Sequence, residues 1–118
     1  MAQPRNLLGG HILSALVGVA LRELLLERAG APEWLGASLA VALSITVMMA
    51  TSTLHPPGAA TALIAVTGDT ALRSLGFLYV LMPVAAGAAI LLGVALVMNN
   101  VCTRDRPGLE LAWPHKWH

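Results

Sequence analysis

The sequence predicts an all-α, polytopic membrane protein with three transmembrane helices and a re-entrant half-helix. Three observations carry this reading. Hydrophobic residues make up 57% of the 118 positions and charged residues 11%, whereas soluble domains are about one-quarter charged. Three apolar runs reach the roughly 20 residues that a helix needs to cross hydrocarbon. Between the second and third, the stretch Thr51-Ser52-Thr53-Leu54-His55-Pro56-Pro57-Gly58-Ala59-Ala60-Thr61-Ala62 breaks the helix without adding an acidic or basic residue other than histidine.

The first span covers about 7–27. No charge lies between Asn6 and Leu21; Arg22 and Glu23 then sit near one end, where long side chains reach out to the interface. Gly30, Ala31 and Pro32 stop the helix. The second span covers about 34–54. It is uncharged, begins at an interfacial Trp34, and carries the small residues Gly36, Ala37, Ala40, Ser44 and Ala50, which let membrane helices approach closely.

The half-helix covers about 57–67. A helix of that length crosses only about half of the hydrocarbon core at ~1.5 Å per residue. Its residues Gly58 to Val66 offer almost no polar face, which counts against an amphipathic turn outside the membrane. A half-helix entering the membrane and returning is the simplest account. The third span covers about 74–101, kinked by Pro83 and closed by Asn99 and Asn100. These segments form one transmembrane domain over 1–103. The remainder, 104–118, is a short tail whose Trp113, Lys116 and Trp117 suit an interfacial anchor; His115 and His118 make at most a weak metal site.

With three crossings, Arg5 and Arg73 share one side, and Arg22, Arg28, Arg104, Arg106 and Lys116 share the other. The basic excess places the first loop and the C-terminus in the cytoplasm, for which a bacterial inner membrane is the expected setting. His-Pro-Pro then lies at the outer end of the second span.

The chemistry concentrates at the break. Pro56 and Pro57 cannot continue a helix but suit the first turn of a new one. That new helix would present the backbone N–H groups of Gly58, Ala59 and Ala60, whose alignment makes a site for a small anion. His55 adds a donor and a titratable charge, and Thr51, Ser52, Thr53 and Thr61 add hydroxyls. The plainer alternative is that His55 caps the helix and the hydroxyls satisfy carbonyls freed by the prolines. A second cluster, Gln3-Pro4-Arg5-Asn6 followed by Gly9-Gly10-His11, repeats the style loosely. Asn6 is a candidate cap, and Arg5 a candidate fixed charge or an interfacial arginine.

Several classes are excluded. A net charge of +1 gives no basic field for nucleic acid. A single cysteine, Cys102, cannot form an intrachain disulfide. No phosphate loop, nucleophile elbow or His-Glu-x-x-His is present, so no enzyme and no cofactor are expected. The spacing of His11, His55, Met48, Met49 and Cys102 matches no defined metal site.

Ala2-Gln3-Pro4-Arg5-Asn6, Gly9-Gly10-His11 and Thr53-Leu54-His55-Pro56-Pro57-Gly58-Ala59-Ala60-Thr61-Ala62-Leu63 resemble the HPP family of integral membrane proteins, over nearly the whole chain to about Asn100. The resemblance implies a four-helix membrane domain and a small-anion permease, with nitrite as one associated substrate. His55, Pro56, Pro57, Gly58 and Thr61 match the family motif, as do Pro4, Arg5, Asn6, Gly10 and His11. It also implies a further membrane helix before Gln3.

The functional expectation is passage of a small inorganic anion through the bilayer, with His55, Pro56, Pro57, Gly58, Ala59, Ala60, Thr61, Arg5, Asn6 and His11 forming the site. A homo-oligomer would cover the packing face that a missing helix leaves. The alternative is a non-transporting structural or regulatory subunit that packs against partner helices.

Overall fold

A computed structural model describes residues 3–103; the tail 104–118, with its expected anchor, lies outside the described residues. Helix α1 (Pro4–Leu21) runs directly into a wider, π-type segment, Arg22–Arg28. Helix α2 is Glu33–Ala50, α3 is Pro56–Thr67, and α4 is a single turn, Thr70–Ser74. A second π-type segment, Val80–Ala85, leads into α5 (Ala86–Thr103). Three of these units are long and apolar enough to cross a membrane: Pro4–Arg28, Glu33–Ala50 and Val80–Val101. With the shorter apolar helix Pro56–Thr67, they give the expected all-α architecture, with no strand among the described residues.

The elements start where the sequence chemistry puts them. Pro4 and Pro56 each open a helix, where a missing N–H costs nothing. Asp69 caps α4, its carboxylate accepting from the Leu72 amide at 2.9 Å. The expected kink at Pro83 falls at the preceding residue, Met82, whose φ of −133° and ψ of 119° interrupt the helix.

The second span stops four residues earlier than expected, at Ala50. Its end is a Schellman arrangement: the Thr53 amide donates to the Met48 carbonyl at 2.9 Å, and the Ser52 amide to the Met49 carbonyl at 3.2 Å. Ser52 occupies the left-handed position this motif requires, with φ of 54°. A serine there carries no glycine signature, so the stop was not visible in the residue types.

Helices α1, α2 and α3 form the packed core. Lipid supplies little hydrophobic drive between membrane helices, so contact must come from close steric fit. Small residues provide it. A Cβ placed on Gly18 would lie 2.7 Å from the Ala62 carbonyl oxygen, and one on Gly58 would lie 3.0 Å from the Gly10 carbonyl. Gly10 of α1 thus meets Gly58 at the start of α3, and Gly18 meets Ala62 further along both. The two helices are parallel. Helix α2 runs antiparallel to them: Met48 lies beside Gly10, and Gly36 lies beside Val66. Val80 and Val84 pack on Ala15, Val19 and Ala65. Helix α5 beyond Ala88 leaves Ile90, Leu91, Val94 and Val97 exposed.

This path corrects the expected sidedness. The order of the spans in the sequence puts the second connection opposite the first. Instead Arg73, in α4, donates to Glu33 at the start of α2, and its Nε donates to the Gly68 carbonyl at 2.7 Å. Both connections therefore lie at one end of the bundle. The chain climbs α2, reverses at Thr51–His55 and descends α3 to the end it left.

Arg22 is a second correction. It does not reach outward but is 1% exposed. Its Nη1 lies 3.4 Å from the Ala65 carbonyl in the last turn of α3, and its Nη2 donates to Glu23 at 3.1 Å. Its Nε is 3.2 Å from Glu27, near enough for charge pairing but not aligned as a hydrogen bond. The last carbonyls of a helix have no internal partners and carry its negative end. Arg22 meets both needs of a short helix whose terminus is buried.

Candidate functional site

The turn Thr51–His55 and the first turn of α3 close over α1 at Gly9–His11. A Cβ on Gly10 would meet the His55 Cβ at 2.8 Å, and one on Gly9 would meet Thr53 Cγ2 at 2.9 Å. With hydrogen at both positions, two histidines far apart in sequence become neighbours. The His11 and His55 rings stand 5.3 Å apart between centroids, tilted by 60°.

Each ring is held differently. His11 Nδ1 lies 2.7 Å from Thr61 Oγ1, one turn into α3. The Thr61 carbonyl accepts from the Tyr79 hydroxyl at 3.0 Å, so the hydroxyl that positions His11 sits on a backbone pinned from the other side. His55 Nδ1 is enclosed and has no hydrogen-bond partner. An enclosed polar nitrogen without a partner is costly and is the orphaned group of this site. Thr51 and Thr53 bond to one another through their hydroxyls at 2.8 Å. Next to the rings, Ser14 donates to the Met48 sulfur at 3.7 Å.

Several candidate residues are placed differently from the sequence expectation. The Gly58 amide is not a free donor: it bonds the His55 carbonyl at 2.7 Å. Gly58, Ala59 and Thr61 face inward and are buried, and Ala60, Pro56 and Pro57 are exposed. Asn6 does not cap α1, because that helix begins two residues earlier at Pro4, with Gln3 at the cap position and no side-chain capping bond. His55 likewise occupies the cap position of α3 without a side-chain capping bond. Arg5 is exposed, and its Nη2 donates to the Thr51 carbonyl at 3.2 Å. It stands over the turn that ends α2, at the rim.

The site is therefore made of side chains more than of helix-terminal amides. His55, His11 and Thr61 are brought together, with Arg5 at the rim and Gly10 and Gly58 as the contact that permits the approach. Tyr79 was missed by the sequence reading. Its only signal there was that it is the chain's one tyrosine, placed in an apolar stretch where a hydroxyl needs a partner. No group of three or more His, Cys, Asp or Glu side chains suited to a metal occurs among the described residues.

The family model described as "HPP, transmembrane region" matches residues 1–107. A transmembrane protein of Dictyostelium discoideum is 49% identical over 100 residues, which is 85% of this chain and 34% of that protein. A second transmembrane protein of the same organism is 46% identical over 106 residues, 90% of this chain and 33% of that protein. The chain thus spans about a third of the length of these curated relatives. No solved structure matches it significantly.

Proposed function

We propose that this chain, which belongs to the HPP transmembrane-region family, is a permease for a small inorganic monoanion such as nitrite. One observation carries the reading: a helix break inside the bundle holds two facing histidines, one of them with an enclosed, unpartnered ring nitrogen. Polar groups in a membrane segment are expensive and mark binding or passage. The donors here are neutral or titratable, and no carboxylate stands among them, which suits an ion that must enter and leave. In this reading His55 is the principal donor and protonation gates it. His11 is the second donor, held by Thr61. Arg5 draws anions to the rim.

The test is protein-dependent nitrite uptake by liposomes containing the chain, with uptake by protein-free vesicles subtracted. His55→Ala and Pro57→Ala are each expected to lower it at least tenfold. Uptake unchanged by both substitutions would remove the site, and no uptake of any small anion would remove the function.

We infer the sidedness from the path of the chain together with its basic residues. If Val80–Val101 crosses once, the C-terminal end joins the α1 start, opposite both connections. In sequence order Arg104, Arg106 and Lys116 follow that crossing and count with Arg5, against Arg22, Arg28 and Arg73. We infer that the four-residue side is cytoplasmic, in a cell membrane such as the bacterial inner membrane. This reading keeps the C-terminus cytoplasmic and puts His-Pro-Pro toward the cytoplasmic end. In a Cys102→Ala background, accessibility of a cysteine introduced at Asp69 to an impermeant reagent checks this: labelling only from the cytoplasmic face would reverse it.

The exposed apolar side chains Ile90, Leu91, Val94 and Val97 of α5 favour a second reading, in which the chain packs against partner helices, its own copies included, and transports nothing. Co-purification of a fixed partner without any anion flux would support it.

A further inference from the structure

A monoanion held at the break needs a positive charge beside it, and the surrounding elements supply few. On α1, Arg5 lies at the rim, already bonded to the Thr51 carbonyl; Arg22, Glu23 and Glu27 belong to its other end. Helix α2 has no acidic, basic or histidine side chain after Glu33, and α3 has none at all. The turn between them contributes His55 alone. Asp69 and Arg73 lie at the far end of the bundle with Glu33. Tyr79 spends its hydroxyl on the Thr61 carbonyl. Residues 80–103 contain no Asp, Glu, Lys, Arg or His. Within the break, the groups able to become positive are the two imidazoles.

We propose that the His11–His55 pair takes up one proton with each anion, so that anion and proton cross together as a neutral unit. This rests on the permease reading above. The stoichiometry follows from the geometry. Two positive rings with centroids 5.3 Å apart repel each other strongly at membrane depth, so the pair accommodates one added proton and not two. The enclosed, unpartnered nitrogen of His55 is where that proton is held, and the His11–Thr61 bond keeps the second ring oriented beside it. Charges balance throughout: the anion and a proton from water enter a neutral site, and release of both leaves two neutral rings. No covalent bond is made or broken. The competing arrangement has Arg5 alone balance the anion. Arginine does not give up its proton, so each cycle would then move a net negative charge.

The experiment uses the whole chain in liposomes loaded with a pH-sensitive dye. External nitrite is the probe, and the membrane potential is clamped with potassium and valinomycin. The protein-dependent component, after subtraction of protein-free vesicles (which pass nitrous acid unaided), is expected to bring in one proton per nitrite. Its rate should not change with the clamped potential. Nitrite uptake that speeds up at inside-positive potential without acidification would overturn the coupling and leave the permease reading standing. Absence of any protein-dependent nitrite uptake would overturn both. His55→Gln is expected to reduce coupled uptake at least tenfold; full one-to-one uptake in that variant would overturn the assignment of the proton to this pair.

Discussion

His11 and Thr61 lie fifty positions apart, yet His11 Nδ1 is 2.7 Å from Thr61 Oγ1. This bond ties the middle of α1 to the second turn of α3 and fixes the plane of the His11 ring against His55. The threonine is buried, so its hydroxyl has no water to fall back on. Replacing it by valine keeps the shape and removes the partner. Thr61→Val is expected to cost about 1–2 kcal/mol, the usual penalty for leaving a part-buried polar group unsatisfied. It should also lower anion uptake, and Thr61→Ser should retain most of both. Thermal unfolding in detergent and liposome uptake check the pair; equal melting of wild type and Thr61→Val would show that the bond contributes nothing.

The glycine contacts predict a contrast between two glycines. A methyl at Gly18 would press on the Ala62 backbone and the Ala65 Cβ, both at 2.7 Å, whereas one at Gly87 meets nothing within 4 Å. Gly18→Ala is expected to destabilise by roughly 1–3 kcal/mol, as overpacking does. Gly87→Ala, in the interior of a helix, is expected to stabilise by up to about 1 kcal/mol. Melting temperatures moving in the same direction for both would contradict the packing described between α1 and α3.

Ser52 pays for its left-handed backbone, φ of 54°, without the glycine that tolerates it. Ser52→Gly is expected to gain on the order of 1 kcal/mol, the steric cost of that conformation for an L-residue. The measurement is again thermal unfolding. A loss of stability would mean that the serine side chain makes a contribution the geometry does not reveal.

Arg22 predicts a local effect. Its removal leaves the Ala65 carbonyl without its side-chain partner at a buried helix end. The carboxylates of Glu23 and Glu27 are 34% and 49% exposed and can return to solvent, so the cost should fall below the 3–5 kcal/mol typical of a broken buried pair. For Arg22→Met, about 2 kcal/mol is expected. Amide hydrogen exchange should quicken at Val66, Thr67 and Gly68 before it changes at Gly58. Uniform exchange along α3 would show that Arg22 does not act through that terminus.

Much of this architecture was legible from residue types. Apolar length marked the three spans, and Pro56 and Gly68 marked both ends of α3 to within a residue. The site was half legible. His11 and His55 stand out as polar groups in apolar runs, but spacing does not say that they face each other; that follows from the Gly10–Gly58 contact, which joins two distant segments. Arg22 was misread because an arginine beside a glutamate at the end of a span looks the same whether it points to water or to a neighbouring helix. The position of Arg73 was misread for a similar reason. A short apolar helix after a break has no sequence mark telling whether it turns back or carries on; contacts between distant residues decide it, Gly36 with Val66 and Arg73 with Glu33, forty residues away.

That pairing has a consequence for how the protein is made. Arg73 and Glu33 are both partly exposed, and a pair of that kind adds about 0–1 kcal/mol at most. It does not hold the structure together; it records where the chain must already be. A helix of twelve residues reaches about 18 Å and cannot anchor itself across hydrocarbon. It cannot be threaded into the bilayer first and packed afterwards. Its place is inherited from the elements it packs against, α1 and α2 before it and Tyr79 to Val84 after it, so it settles only as they do.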